Sequence, residues 1–440
     1  MSATLLIRAR WIVPVEPAGA VLENHAVAVL GDRIDALLPA AEIDARYPGA
    51  DVVDLADHVL IPGLVNAHTH AAMTLMRGLA DDRPLLRWLT EHIWPAETRH
   101  ISAEFVTDGT LLACAEMLRA GITCFNDMYF FPEAALEAAL QTEMRAALGM
   151  IVVEFPSAYA SDPDDYLQKG LALRDRYREH PLLSFCLAPH APYTVSDATF
   201  RKVATMLGEL DVPLHIHLHE TEDEIERSLA EHGVRPIERM RRLGLLGPGL
   251  MAVHGVHLQA DEIELLARHG SSVVHCPSSN LKLASGFAPV AQLLGAGVNV
   301  ALGTDGAASN NRLDLMQEMR LAALLAKAVA RDAEAMPAHR ALRCATLGGA
   351  IALGLERRIG SIAAGKLADL VAVRLLGPEL APCFDPVSHL VYAAGREHVT
   401  DVWVAGKQQV KGRELLNPLL SSLDTRYKLW QNALGSLTDS

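Results

Sequence analysis

The chain has 440 residues, half of them hydrophobic and 21% charged, with a formal net charge of −14. Such a length exceeds one ordinary core and argues for a large domain with a smaller companion, while the acidic balance, with no Lys/Arg cluster to offset it, excludes a nucleic-acid groove. The six cysteines (Cys114, Cys124, Cys186, Cys276, Cys344 and Cys383) are scattered without a CxxC pair, which argues against a disulfide framework or a structural zinc knot.

The N-terminal stretch lacks the long apolar core and cleavage site of a signal peptide, and no run approaches the ~18 apolar residues of a membrane span, so a cytoplasmic protein without membrane contact is expected. In chain order, Thr4 to Val15, Ala26 to Leu38 and Val52 to Leu55 read as β-pieces separated by turn residues such as Gly31-Asp32. The end of the chain reads alike, with short runs at Leu370–Leu375, His389–Ala393 and Val399–Val404 and hairpin turns at Gly406 and Gly412. The two ends are expected to build one small β-domain.

Between them, strand-like and helix-like stretches alternate. Apolar runs end at His68, then recur at Thr123–Met128, Met150–Phe155, Leu183–Ala188, Leu214–Leu218, Leu250–His254, Ser272–His275 and Asn299–Gly303. Helical patterns separate most of them, at Glu104–Ala120, Pro132–Ala147, Asp197–Leu210, Ile225–Leu243, Asp261–Arg268 and Ala288–Ala296. Strands buried on both faces read as continuous apolar runs, as these do. Eight βα units predict an α/β fold, a TIM (β/α)8 barrel over residues 62–358, with the β-domain formed by residues 1–61 and 359–440. An open doubly wound sheet is the competing fold, but nothing after the early strands resembles GxGxxG.

Barrel chemistry collects at the carboxyl ends of the strands, and those ends are rich in polar, metal-competent residues. The first carries His68-Thr69-His70, whose imidazoles share a face because alternate strand residues do. The fourth ends in Pro189-His190, the fifth (LHIHLHE) carries His215, His217 and His219 and ends at Glu220, the sixth ends near His254, the seventh in His275-Cys276 and the eighth in Thr304-Asp305. A buried His or Asp must find a partner or shift its pKa, so packing alone explains this set poorly.

These residues carry a resemblance. The runs PGLVNAHTH, HLHE, VHGVH, HCPSSNLKL and LGTDGAASNN are similar to the amidohydrolase superfamily, and within it to the 5-methylthioadenosine/S-adenosylhomocysteine deaminase family, in the branch shared with guanine deaminases and s-triazine hydrolases. The resemblance covers nearly the whole chain; IGSIAAGKLADLVAV resembles the usual re-entry into a small terminal β-sandwich. It implies metal ligands at His68, His70, His217 and Asp305, holding one divalent ion, most naturally Zn²⁺. No lysine ends the fourth strand, where binuclear relatives place a bridging lysine. The resemblance also implies a proton-shuttling carboxylate at Glu220, a histidine beside the attacking water at His254, Asp305 as base, and substrate contacts at Glu97, His190, Ser309, Glu220 and Asp305. His215, His219, His257 and His275 are left as structural or supporting residues, and Arg77, Trp88 and Trp94 as residues that could border the mouth.

The implied activity is hydrolytic deamination of an adenine nucleoside, 5′-methylthioadenosine or adenosine, with S-adenosylhomocysteine disfavoured because no arginine can be placed at the 5′ end. The competing activities are guanine or pterin deamination and s-triazine chloro- or aminohydrolysis. A small-molecule substrate and a homo-oligomer, dimer or tetramer, complete the expectations.

Overall fold

The computed structural model describes residues 4–435. Sixteen strands, β1 (Thr4–Ile12), β2 (Leu22–Leu30), β3 (Arg33–Pro39), β4 (Asp51–Pro62), β5 (Leu64–Thr69), β6 (Ile122–Asp127), β7 (Arg145–Val152), β8 (Leu183–Pro189), β9 (Leu214–Leu218), β10 (Leu250–His254), β11 (Ser272–His275), β12 (Asn299–Leu302), β13 (Leu370–Arg374), β14 (Val399–Val404), β15 (Lys407–Lys411) and β16 (Glu414–Leu415), divide between two eight-stranded sheets.

β5 to β12 pair in sequence order and in parallel. The sheet curls into the TIM barrel, and its last strand returns beside its first, where the Asp305 amide donates to the His68 carbonyl at 3.1 Å. Every residue of β5, β6 and β7 is buried, since helices cover the outside and side chains fill the inside. Small and flexible residues, among them Ala67, Cys124, Ala147, Cys186, Met251 and Ala301, fill the interior. All six cysteines are unpaired. No helix among the described residues is long and apolar enough to cross a membrane.

The second sheet joins both chain ends in the order β16-β15-β14-β13-β4-β1-β2-β3. β1 and β4 are parallel and the other pairings antiparallel. β4 leads into β5 through Gly63 alone, and there a Cβ would stand 1.9 Å from the Thr123 hydroxyl oxygen. Only glycine lets the chain pass directly from one sheet to the other while packed against β6.

The helices follow the expected alternation, with local differences of physical origin. The pattern over Ile225–Leu243 splits into Glu222–His232 and Pro236–Arg242, because Gly233 adopts a left-handed φ of 71° and Pro236 starts a new first turn. The stretch Pro132–Ala147 is helical only to Gln141; Arg145 begins β7, which therefore starts and ends earlier than its most apolar segment. His389–Ala393, expected as a strand, belongs to the helix Pro386–Tyr392, which is set by Pro386 in the first turn and by the Asp385 side chain accepting from the Val387 amide at 2.8 Å.

One buried ion pair pins the two sheets together at the end of the barrel away from the catalytic face. Arg145, at the start of β7, donates from Nε and Nη2 to the two oxygens of Asp369 at 2.8 and 3.0 Å, with 3% and 2% of the two side chains exposed. The Asp369 carboxylate also accepts from the Ala405 amide at 2.7 Å, and its carbonyl accepts from Gly63 at 2.8 Å. Removing one partner leaves the other charge buried and uncompensated. Arg145→Met should therefore lower stability to chemical denaturation by about 3–5 kcal/mol while the folded fraction turns over normally. An unchanged denaturation midpoint would show that the pair is not an interdomain anchor.

Candidate active site

The carboxyl ends of β5, β9, β10 and β12 meet in one pit. One ligand atom from each of His68, His70, His217 and Asp305 lies within 4.8 Å of the others. The His70 Nδ1 donates to the Met128 carbonyl at 2.5 Å and the His217 Nδ1 to the His190 carbonyl at 2.8 Å. Each bond commits Nδ1 as the donor, so that the neutral ring offers its Nε2 lone pair to the pit. The His68 Nδ1 stands 2.8 Å from the Nε2 of His215, whose other nitrogen is 3.2 Å from the Asn126 amide nitrogen. Asp305 Oδ1 lies 3.2 Å from Nε2 of both His68 and His70. Its Oδ2 accepts from the hydroxyls of Ser279 and Ser309, at 2.6 and 2.8 Å.

Burial disfavours charge on these imidazoles, pulling His68 down to about 4 and His217 well below its ordinary value. His70 goes the other way: burial opposes its charge, but the Asp305 carboxylate and the Met128 carbonyl outweigh it and push it up to about 9. Three imidazoles and a carboxylate crowded this closely call for a shared cation. A borderline-soft divalent ion that takes nitrogen and oxygen donors fits the set, and these four residues could hold it.

Beside this group stand the acid–base residues. Glu220 follows β9, and its backbone amide and that of His219 donate to the two carboxylate oxygens of Glu224 at 2.8 and 2.9 Å. This clamp fixes a bend in which His219 takes a φ of 58°. Burial, reinforced by Asp305, raises the Glu220 carboxyl above its usual range. The His254 Nε2 lies 3.7 Å from Glu220 Oε1, and the His254 ring stacks on His217 with centroids 5.4 Å apart. His254 and Asp305 also have left-handed backbones, with φ of 74° and 59°. Each such non-glycine residue costs roughly 1–2 kcal/mol, and three of them cluster where strand ends turn side chains into the site.

A cavity of about 420 Å³ opens over the pit, within the range of small-molecule sites. Asp305, Glu220, His254, His190, His217 and Ser309 line its depth, and Leu85, Trp88, Leu89, Trp94 and Phe155 form an apolar wall. The Trp94 and Phe155 rings pair with centroids 6.5 Å apart. Glu97, on the helix Trp94–His100, also lines the cavity and accepts from the Tyr129 hydroxyl at 2.7 Å through Oε1. Burial pushes its carboxyl up to about 7, against the pull of Tyr129 and His70. His190 lies 3.1 Å from the Thr194 hydroxyl, and burial keeps it neutral, down to about 3.

The structure thus brings every expected site residue to one cavity: His68 is buried among the other ligands and the rest line the wall. Trp88 and Trp94 border it. Arg77 does not; it pairs with Glu116 and donates to the Asn311 carbonyl. His215 supports His68, while His219 accepts from the Ile237 amide at 3.0 Å and His257 meets the Ser285 carbonyl at 2.9 Å. Glu224, Ser279, Asn280 and Tyr129 escaped the reading of the sequence. Of these, only Ser279 and Asn280 carried a signal, lying within the HCPSSNLKL run.

The amidohydrolase family model matches residues 59–408. Over 428 residues, 97% of each chain, the protein is 48% identical to a 5-methylthioadenosine/S-adenosylhomocysteine deaminase of Teredinibacter turnerae. The chain belongs to the amidohydrolase family. Among solved structures, an adenosine deaminase from Xanthomonas campestris with bound zinc superposes with a TM-score of 0.97 at 51% identity, covering 99% of each chain. A zinc complex of an atrazine chlorohydrolase from Arthrobacter aurescens shares the fold at a TM-score of 0.89 and 24% identity, covering 97% of this chain and 99% of the other.

Proposed function

We propose that this amidohydrolase removes the 6-amino group of adenine nucleosides by hydrolysis, with 5′-methylthioadenosine and adenosine as its substrates. The observation that carries the reading is one cavity with a raised, buried carboxyl (Glu220) beside His254 and Asp305, lined also by a second carboxyl (Glu97) and by an apolar wall. The similarity to relatives described as 5-methylthioadenosine/S-adenosylhomocysteine and adenosine deaminases supports it.

His68, His70, His217 and Asp305 would hold a single Zn²⁺. Zinc bound there supplies Lewis acidity and brings the pKa of a water close to neutral. The chain's own groups do the rest. Glu220, whose carboxyl burial raises above its usual range, donates its proton to ring N1 and makes C6 electrophilic. Asp305 takes a proton from the attacking water, and His254 holds that water's orientation. Oxygen adds to C6, Asp305 passes the proton it took from the water to the exocyclic amine, Glu220 recovers a proton from the new C6 hydroxyl, and the C6–N bond breaks to release ammonia and an inosine-type product. His190 stays neutral and contacts the base, while Ser309 holds Asp305 Oδ2 in place.

Tyr129 occupies Oε1 of Glu97 and leaves Oε2 for the hydroxyls of the ribose. The apolar wall suits a methylthio group. Among the described residues no lysine or arginine lines the cavity. Arg145 is committed to Asp369 at the far end of the barrel, and Arg174 donates to the Leu210 carbonyl at 3.2 Å. A homocysteine carboxylate would meet no cation. The reading also carries a cytoplasmic homo-oligomer, dimer or tetramer, and a division of the chain into a barrel over residues 62–358 and a β-sandwich from residues 1–61 and 359–440.

Glu220→Gln preserves shape but cannot shuttle a proton. Turnover of 5′-methylthioadenosine should fall at least about a hundredfold while zinc content by atomic absorption stays at the wild-type level. Near-normal turnover would reduce Glu220 to a helix-start carboxylate.

A panel of purines read by ammonia release tests the substrate assignment. The expected order in kcat/KM is 5′-methylthioadenosine and adenosine first, S-adenosylhomocysteine and 2′-deoxyadenosine behind, and free adenine barely used. Loss of a charged hydrogen bond predicts about 10- to 100-fold discrimination between ribose and deoxyribose, and Glu97→Ala should bring that ratio close to unity. A win for S-adenosylhomocysteine would reveal a cation at the 5′ end. A win for guanine, a pterin or a triazine would overturn the nucleoside assignment.

A further inference from the structure

We infer that Asn280 is a positioning residue that fixes which ring nitrogen of His254 carries the proton, and that His275 holds Asn280 in that orientation across a small second cavity. Asn280 lies on the short helix Pro277–Lys282 that follows β11, and its side chain is 2% exposed. Its Oδ1 stands 2.8 Å from the Nδ1 of His254. A carboxamide oxygen can only accept. With Asn280 oriented this way, His254 carries its proton on Nδ1 and presents an Nε2 lone pair to the reaction cavity, beside Glu220 Oε1 at 3.7 Å. A half-turn of the amide would reverse this: Nδ2 would donate to Nδ1, and Nε2–H would face the substrate. The first arrangement lets His254 accept a hydrogen bond from the attacking water and align its remaining lone pair on C6; the second does not.

The orientation of Asn280 is decided on its other side. There a small cavity with room for about one water molecule is walled by Asn280, His275, Pro277, Gly286, Phe287 and Val290 among others. No protein group hydrogen-bonds the Asn280 Nδ2 or either ring nitrogen of His275, and all three atoms are buried. His275 is itself 3% exposed. Buried polar atoms are rarely left unpaired, because a lost hydrogen bond is not repaid by water. A water in this cavity takes the Asn280 N–H and donates to one ring nitrogen of His275, which pairs two of the three orphaned atoms and keeps the amide nitrogen turned away from His254. Burial holds His275 neutral, down to about 3, so one of its ring nitrogens is always an acceptor. Phe287 and Val290 add no competing polar group.

The inference rests on the deaminase reading for its substrate, and the experiment separates the two. Asn280→Leu is near-isosteric and removes the acceptor; Asn280→Asp keeps an oxygen facing Nδ1. The Leu variant should lose about 10- to 100-fold in kcat, the usual cost of a lost supporting hydrogen bond at such a site, with KM, zinc content and melting temperature close to wild type. The Asp variant should recover most of the lost kcat. Should the buried carboxylate of the Asp variant prevent folding, His275→Leu and His275→Gln make the same comparison, the Leu variant losing kcat and the Gln variant restoring it. A crystal structure of the wild-type holoenzyme at about 1.5 Å should place an ordered water between Asn280 and His275. An unimpaired Leu variant, an Asp variant as slow as the Leu variant, or a dry cavity would each overturn the inference while wild-type deamination stands. Failure of the wild-type protein to deaminate any purine nucleoside would instead overturn the reading of function.

Discussion

Four metal-competent side chains from three strand ends converge within 4.8 Å in a pit that solvent barely reaches, and most of the local structure follows from making that convergence tolerable. Buried imidazoles and carboxylates repel or desolvate one another at large cost unless each has a partner and the group shares a cation. Backbone carbonyls of Met128 and His190 take the Nδ1 protons of His70 and His217, two serine hydroxyls tie down Asp305 Oδ2, and His215 backs His68. All of these bonds except that of Ser309 cross between barrel strands or the loops after them, so closure of the barrel and assembly of the site are one event. Gly303 shows how tight the closure is: a Cβ there would come within 2.9 Å of His68 Cβ.

The same constraint shapes the acid–base residues. Glu220 is useful as a proton donor only while it is kept from solvent, yet a buried carboxyl must not swing freely. The Glu224 carboxylate, holding two backbone amides, freezes the turn after β9 and so aims Glu220, and its own carboxyl is pushed up to about 8 by burial. Left-handed backbone at His219, His254 and Asp305 adds strain where strand ends turn their side chains into the site. The opposite face is held by the Arg145–Asp369 pair and the glycine junction at Gly63, which lock the terminal sheet to the barrel floor.

Much of this was legible in the residues because the barrel strands are buried on both sides and therefore appear as unbroken apolar runs that stop at polar groups. β5, β9, β10 and β12 announce His68, His217, His254 and Asp305 in this way. The His389–Ala393 stretch was not legible, since a short apolar run has the same composition in a buried helix as in a strand and only the Asp385 cap decides. Glu224 was hidden for a different reason: in TEDEIE it looks like any acid of a helix's first turn, and its bonds to the His219 and Glu220 amides exist only once the chain has turned back. Tyr129 and Glu97 lie 32 residues apart, and Arg145 and Asp369 224 apart. Partnerships at such separation have no local signature.

The account stands on a single ion joining these side chains into a working site, and stoichiometric reconstitution tests that most directly. Protein stripped of metal by a chelator should be folded but inactive toward 5′-methylthioadenosine. Activity should then rise linearly with added Zn²⁺, break sharply at one equivalent per chain, and stay flat beyond it. Deamination by the metal-free protein, or a break at two equivalents, would contradict the assignment of His68, His70, His217 and Asp305 as one mononuclear site.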